Sequence, residues 1–279
     1  MAITAKDVNK LRQQTGAGMM DCKKALVEAE GDFEKAIDIL RKKGQKVAAK
    51  RADRDANEGA VFISLSDDNS YAVLIELNCE TDFVARNDDF QTLGETIANI
   101  ALSNKPENLE ALLDLNMEDG RPISGHLTDA IGKIGEKIGV SKFESISGEI
   151  VVPYIHPGAR VGVAVAFNGA NDNVETVGKD VAMQIAAMSP IAINEDGVAQ
   201  NIIDRELEIG REQALAEGKP EQIIDKIAQG KLKKYFKENT LLHQDFVKDT
   251  SKSVGQYIKE ELGGGATVVD FKRLQLGQS

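Results

Sequence analysis

Two stretches of this chain repeat one pattern of apolar runs and turns, and this duplication constrains the fold more than any other feature. The first stretch runs from Gly59 to Asn78, and the second from Gly148 to Asn168. Two apolar runs separated by a short polar turn predict a β-hairpin in each. Each hairpin is followed by a helical run with matching landmarks, at Phe90, Gly94, Ile97 and Ala98 in the first copy and at Val174, Gly178, Val181 and Ala182 in the second.

The two copies differ in length at one place. From the glycine to the asparagine they span 19 and 20 residues, but from the asparagine to the first helical landmark they span 12 and 6. The surplus is the segment 79–87, which places Asp82 beside Phe83. A loop can change without disturbing the core, so duplicated scaffolds commonly carry function where their loops diverge. We therefore expect activity in segment 79–87.

The first 44 residues predict a compact bundle of three short helices. Thr4 is placed to cap the first helix, Gly31 to stop the second, and Asp32 to cap the third, which we expect to end at Gly44. A bundle of this size is typical of ubiquitin-associated-type domains, most of which bind other proteins.

The remainder predicts an α+β architecture. Residues 45–58 form a helical or loosely ordered linker, and two hairpin-plus-helices subdomains follow at 59–147 and 148–279. Helices laid across one side of each hairpin would cover its apolar face. In the first subdomain, apolar spacing up to Ile138 predicts a helix that continues through Gly135.

The second subdomain contains an insertion at about 194–235. Gly218 ends one apolar-periodic run and Pro220 begins the next, which predicts an antiparallel helical hairpin. Arms of roughly 18 to 20 residues would extend ~25–30 Å. Both a projecting docking arm and packing against the body fit this pattern. A final apolar strand, 266–271, follows three glycines.

The net charge of −11 disfavours a nucleic-acid-binding role, because neutralising phosphates needs clustered Lys and Arg. The charge is also uneven, with +3 over residues 1–58 and −14 over the rest. This asymmetry fits an ordinary solvated surface, and it also fits a small basic module that meets an acidic partner.

The two cysteines, Cys22 and Cys79, lack any paired spacing, so we expect reduced, mostly buried thiols. No window approaches the ~18 apolar residues of a membrane span. Ala2 to Gln14 is amphipathic and lysine-containing, unlike a secretory signal. A cytoplasmic protein that does not bind membranes is the expectation.

Motifs of covalent chemistry are missing from the sequence. It contains neither a G-x-x-x-x-G-K-[ST] phosphate loop nor a G-x-S-x-G elbow, and its three histidines lack metal-ligand spacing. Glu80 and Asp82 offer an acid–base pair in composition, but side chains at i and i+2 diverge on a helix. We therefore expect a protein that is not an enzyme and uses no cofactor and no metal.

A few residues are not explained by packing needs alone. Phe83 lies in the surplus loop, either as a loop anchor or as a contact surface. Turn geometry accounts for Pro157 and Gly158 but not for His156. Met19 and Met20 begin the second helix, where methionine serves either as core filler or as an adaptable docking side chain.

Two long signatures carry a resemblance to a known family. Residues 11–26 (LRQQTGAGMMDCKKAL) and 76–86 (ELNCETDFVAR) resemble the two signature segments of bacterial elongation factor Ts. The resemblance covers nearly the whole chain. It departs at the C-terminus, where this chain stops at Ser279 while some relatives continue into a further helical module.

This resemblance implies a guanine-nucleotide exchange factor for elongation factor Tu, the GTPase that carries aminoacyl-tRNA. Asp82 and Phe83, flanked by Thr81 and Val84, would enter the GTPase near its magnesium and phosphate site and promote GDP release. The partner-docking residues implied for the N-terminal module and the second subdomain are Arg12, Met19, Met20, Lys23 and His156. The competing hypothesis is a non-catalytic adaptor or chaperone that binds through residues 1–44. The sequence leaves the oligomeric state open.

Overall fold

The protein is described by a computed structural model covering residues 3–278. It begins with helices α1 (Ala5–Thr15), α2 (Met19–Glu28) and α3 (Phe33–Arg51). The predicted caps are present: the Thr4 side chain accepts the Asp7 N–H in a capping box, and the Asp32 side chain accepts the Lys35 N–H. The three helices enclose their own apolar core, with Leu11 and Leu26 fully buried.

Helix α3 does not end at Gly44, contrary to the sequence expectation. It continues to Arg51, so the first half of the predicted linker is helical. Gly44 is instead a contact point with a later helix, α7 (Ile123–Ile134). A Cβ built on Gly132 of that helix would lie 2.6 Å from the Gly44 Cα, so the two backbones touch where they cross. This glycine permits close helix packing rather than helix termination.

The first repeat is a three-stranded antiparallel sheet with helices. Its strands are β1 (Glu58–Leu65), β2 (Tyr71–Cys79) and β3 (Gly139–Ser147), in the order β1-β2-β3. Between β2 and β3 lie α4 (Asp82–Ala85), α5 (Asp88–Asn104), α6 (Leu109–Asp114) and α7. The predicted continuation of α7 through Gly135 is wrong. Gly135 takes a left-handed conformation, φ 83°, and ends the helix.

The second repeat has the same sheet layout. Strands β4 (Ile150–Ile155) and β5 (Val161–Asn168) form its hairpin and are followed by α8 (Val174–Met188). The inserted helices are α9 (Gln200–Ala216) and α10 (Glu221–Asn239). A short ladder, β6 (Asp245–Phe246) with β7 (Asp249–Ser253), and α11 (Val254–Leu262) lead to the third strand of the sheet, β8 (Thr267–Gln275).

The strand registers show how closely the two repeats correspond. Phe62 pairs with Ile75, and Val152 pairs with Val165, each 90 residues further along the chain. By this register Gly59 corresponds to Glu149 rather than to Gly148, so the hairpins are equal in length. Strand β3 pairs with β2, and β8 pairs with β5. Each pairing contains a bulge at the corresponding place, between Glu76 and Leu77 in β2 and between Ala166 and Phe167 in β5.

The two sheets pack against each other, and helices cover their outer faces. Val61 and Leu74 of the first sheet meet Ala164 and Ala166 of the second in a shared apolar layer. On the outer face, α5 and α8 come so close to the sheets that Cβ atoms on Gly94 and Gly178 would overlap Phe62 and Val152 respectively. The matched glycines of the sequence therefore mark equivalent helix-on-sheet contacts.

Helices α9 and α10 pack chiefly against each other. Gly210 of α9 approaches the backbone of Ala228 in α10, and Arg211 Nε bonds Asp225 Oδ1 across the pair at 2.8 Å. The predicted α+β class with a helical-hairpin insertion is confirmed. Within residues 3–278 we find no helix long and apolar enough to cross a membrane.

Candidate functional site

The surplus segment folds as a single helical turn that presents one aromatic ring. Thr81 caps α4, its hydroxyl oxygen accepting the Val84 N–H at 3.4 Å. Phe83 on this turn is 84% exposed, the most exposed of the large apolar side chains in residues 3–278. Ala85 on the opposite side is buried, and Val84 packs against the core of the first repeat. Phe83 is therefore a surface residue and not a loop anchor.

Glu136 holds the start of the turn. One carboxylate oxygen accepts the Thr81 N–H at 3.1 Å, and the other accepts the Thr81 hydroxyl at 2.8 Å. The Cys79 thiol donates to the Thr81 carbonyl at 3.1 Å. Burial, together with the nearby Glu136 carboxylate, raises the pKa of Cys79 to about 12. Cys79 is thus an unreactive structural thiol, as its burial indicates.

Glu80 links the site loop to the end of α3. Its carboxylate accepts both Arg51 Nη1, at 3.0 Å, and Arg54 Nη1, at 2.9 Å. It also accepts the Lys137 backbone N–H at 2.7 Å. Burial alone would raise its pKa, but the Lys137 N–H and the two guanidinium groups outweigh burial and hold the pKa of Glu80 below its ordinary value of 4.5.

Asp82 is half exposed beside Phe83. Its carboxylate pairs with Arg86 at 3.0 Å, one helical turn further on, and both side chains face solvent. Exposed i,i+4 pairs of this kind contribute little to stability. Asp82 can exchange Arg86 for another partner at small cost.

The docking residues implied for the N-terminal module all lie on its surface. Met19 and Met20 are 53% and 64% exposed in the first turn of α2, and Arg12 and Lys23 are also exposed. The helix turns Cys22, Ala25 and Leu26 inward, so the methionines are not needed to fill the core.

The N-terminal module meets the first repeat next to the site loop. Lys133 of α7 lies against Gly16, directly after α1, and its Nζ bonds Asp89 Oδ2 at 2.6 Å. Asp89 stands in the first turn of α5, just after the surplus segment. The module and the loop therefore share one support, formed by α7.

His156 is exposed at the tip of the β4–β5 hairpin. Its Nδ1 lies 2.9 Å from the Tyr154 hydroxyl. The turn itself rests on the first repeat, because the Val61 N–H donates to the Ala159 carbonyl and Arg160 pairs with Glu58. Glu58 is opposite Cys79 in the sheet, so this turn lies near the start of the site loop.

Comparison with known proteins identifies the family. A family model described as elongation factor TS matches residues 80–278. Proteins named elongation factor Ts from Amoebophilus asiaticus and Christiangramia forsetii are each 52% identical to this chain over 278 residues. These alignments cover 99% of this chain and 100% and 99% of the two relatives. A third relative, from Porphyromonas gingivalis, is 51% identical over 99% of each chain.

This chain belongs to the elongation factor Ts family.

Sequence reasoning missed several residues that shape the site of this chain. Arg51 and Arg54 lay in a predicted linker, and their clustered positive charge was the only signal available. Glu136 and Lys137 lie just after α7, in a stretch that we expected to belong to that helix. Three exposed apolar residues of the second repeat, Met188, Ile191 and Val247, also gave no pattern in the sequence. In the described part of the chain, His, Cys, Asp and Glu side chains form no cluster that would hold a metal ion.

Proposed function

We propose that this chain binds elongation factor Tu and promotes release of GDP from it, acting in the cytoplasm without covalent chemistry. Phe83 carries the proposal, because it is 84% exposed on a turn that is otherwise tied down. An exposed aromatic on a supported loop is suited to insertion into a partner. Asp82 beside it would bring a carboxylate toward the magnesium and phosphate site, and Thr81 and Val84 would hold the turn.

The docking surfaces have separate roles in this proposal. Arg12, Met19, Met20 and Lys23 would anchor the N-terminal module on the GTPase. His156 would add a contact from the second repeat, close to the same end of the site loop. The helical hairpin and the second repeat would grip a more distant domain of the partner.

The energetics require more than one residue. By linkage, a factor that weakens GDP binding by some ratio is itself weakened by GDP in the same ratio. A ~10⁴-fold coupling needs about 5.5 kcal/mol of contact energy enjoyed only by the nucleotide-free state. Burying one Phe side chain supplies about 1.5–3 kcal/mol. Phe83 would therefore act together with contacts of the N-terminal module and the second repeat.

The test is release of a fluorescent GDP analogue from elongation factor Tu of the same cell, chased with excess unlabelled GDP. We expect sub-stoichiometric amounts of this protein to accelerate release catalytically. Tight binding without acceleration would support the adaptor or chaperone hypothesis instead.

Point variants separate the two hypotheses without cutting the chain. The adaptor hypothesis places all binding in residues 1–44, so Met20→Ala would weaken it while Phe83→Ala would leave it unchanged. The exchange hypothesis expects Phe83→Ala to slow release strongly while binding of the free GTPase is partly retained. Truncation is less clean, because Val47 and Ala48 of α3 pack on the core of the first repeat.

A further inference from the structure

The segment after α7 contacts the site loop through both of its charged residues. Glu136 uses both carboxylate oxygens on Thr81, and the Lys137 backbone N–H donates to Glu80. Lys137 also reaches the end of α3, where its Nζ donates to the carbonyls of Ala52 and Arg54, each at 2.8 Å. Two consecutive residues thus join the loop to the N-terminal module.

The position of this segment is itself fixed by helix packing. Gly135 ends α7 in a left-handed conformation, and α7 is held against α3 at the Gly44–Gly132 crossing. Ile138, on the other side of Glu136, is buried in the core of the first repeat. Glu136 is therefore anchored on both sides before it meets Thr81.

A four-residue helix needs such support. Isolated helices shorter than about 12 residues are marginal in water, because nucleation costs more than one turn of hydrogen bonds returns. The α4 turn exposes Phe83 and half-exposes Asp82, so burial of these two side chains does not stabilise it. The Thr81 cap is its N-terminal fixing point, and Glu136 holds that cap through both the N–H and the hydroxyl.

We propose that Glu136 is a positioning residue for nucleotide exchange, which orders the Thr81 cap so that Phe83 is presented to the GTPase in its binding conformation. This rests on the proposed function. Ordering the turn before binding removes an entropy cost that the encounter would otherwise carry. Glu136 acts through Thr81 and needs no contact with the partner.

The second repeat offers a matched control. Glu149 Oε2 accepts the Gly169 N–H at 2.6 Å, and by strand register Gly169 corresponds to Cys79. Glu149→Ala therefore removes a carboxylate from a backbone N–H at the equivalent connection, which lacks the surplus turn.

The first readout is amide hydrogen exchange of the free protein. Glu136→Ala should accelerate exchange at Thr81 and in the α4 turn at least tenfold while leaving β2 and α5 unchanged. Glu149→Ala should leave the α4 turn as it is. Faster exchange throughout the first repeat, or no change at Thr81, would overturn the proposal.

The second readout is GDP release from elongation factor Tu, in the wild-type and the Phe83→Ala backgrounds. Glu136→Ala should lower kcat/KM roughly tenfold, the equivalent of ~1.4 kcal/mol. In the Phe83→Ala background, Glu136→Ala should lower kcat/KM less than twofold, because there is no ring left to position. A tenfold loss in both backgrounds would mean that Glu136 touches the partner directly and would overturn the proposal.

Conservative variants complete the test. Glu136→Gln keeps one accepting oxygen and should give an intermediate loss of kcat/KM for GDP release. Thr81→Ser keeps both donors and should behave as wild type. If the wild-type protein does not accelerate release, the proposed function fails. The hydrogen-exchange arm still decides whether Glu136 orders the turn, so the two failures are distinguishable.

Discussion

The two repeats connect their central strand to the next helix in different ways. After β5 the chain reaches α8 by a short connection that ends at Asn173, whereas after β2 it forms the α4 turn before α5 begins. The helices nevertheless end at equivalent places, with Lys105 and Ser189 both in left-handed conformations. The shared scaffold thus accepts an extra turn on one side without a change in sheet register or helix packing.

That difference explains why the exposure of Phe83 indicates a functional role. The sheets, bulges and close-packed glycines recur in both repeats and serve the core. The α4 turn occurs once, exposes Phe83, and is held by Glu80 and Glu136. The shorter connection of the second repeat is held by Glu149, which accepts the Gly169 N–H, and by Glu261, which accepts from Asn171 and Asn173. The following predictions test whether GDP release depends on the α4 turn, which the second repeat lacks.

The largest expected effect comes from removing both exposed residues of the turn. We predict that the double variant Asp82→Ala/Phe83→Ala lowers kcat/KM for GDP release at least 100-fold, since a buried Phe alone is worth about 1.5–3 kcal/mol. The melting temperature of the free protein should stay within the scatter of surface substitutions. Calorimetry alongside the release assay checks both, and a large melting shift would show that the turn is part of the core.

The next effect concerns the support shared by the module and the loop. Gly132→Ala places a Cβ 2.6 Å from the Gly44 Cα, which forces α3 and α7 apart. We predict a loss of about 1–3 kcal/mol in the free energy of unfolding, typical of overpacking.

Gly230→Ala in α10 is the control for that substitution. A Cβ on Gly230 would meet nothing within 4 Å, and the residue is helical. Alanine there should stabilise by about 0.5–1 kcal/mol. Urea unfolding of both variants measures the pair, and equal effects at the two glycines would contradict the close-crossing account.

A smaller effect is expected at the N-terminal module. Met20 is 64% exposed, so Met20→Ala should leave stability unchanged and raise KM for the partner about 5- to 10-fold, the equivalent of roughly 1–1.4 kcal/mol. kcat should hold, because docking precedes the conformational step. A fall in kcat at constant KM would place Met20 in the exchange step itself.

The smallest effect is a pH dependence at Glu80. Its folded-state pKa lies below the ordinary 4.5, so its contribution to stability is present above pH 4.5 and is lost as the pH falls through the folded value. We predict that the link to Arg51 and Arg54 is intact at pH 5. Carboxyl carbon NMR of Glu80 should show a midpoint below 4.5, and a midpoint above that value would contradict the guanidinium link.

The repeat and the site loop could be predicted from the sequence, because both are marked by local sequence patterns. The surplus at 79–87 and the matched Gly94 and Gly178 required only counting. The helix end at Gly44 was misread, because a glycine that permits close helix crossing looks the same in sequence as one that stops a helix. Gly135, which does stop its helix, was misread in the opposite sense.

Other features could not be read because their partners are distant in the chain. Strand β3 buries only Val140 and Ile146, so it lacks the apolar run that revealed the two hairpins and the final strand. Glu136 meets Thr81 55 residues earlier, and Glu80 meets Arg51 29 residues earlier. Such carboxylate contacts depend on the helix crossing that brings them together, which the sequence pattern does not encode locally.

The most direct measurement compares one exposed residue from each connection in the same GDP-release assay. Phe83→Ala alters the unshared turn, and Asp172→Ala alters an exposed residue in the connection of the second repeat. The account predicts release about 10- to 100-fold slower with Phe83→Ala and unchanged with Asp172→Ala. Equal rates for the two variants would contradict the claim that exchange depends on the turn that only the first repeat contains.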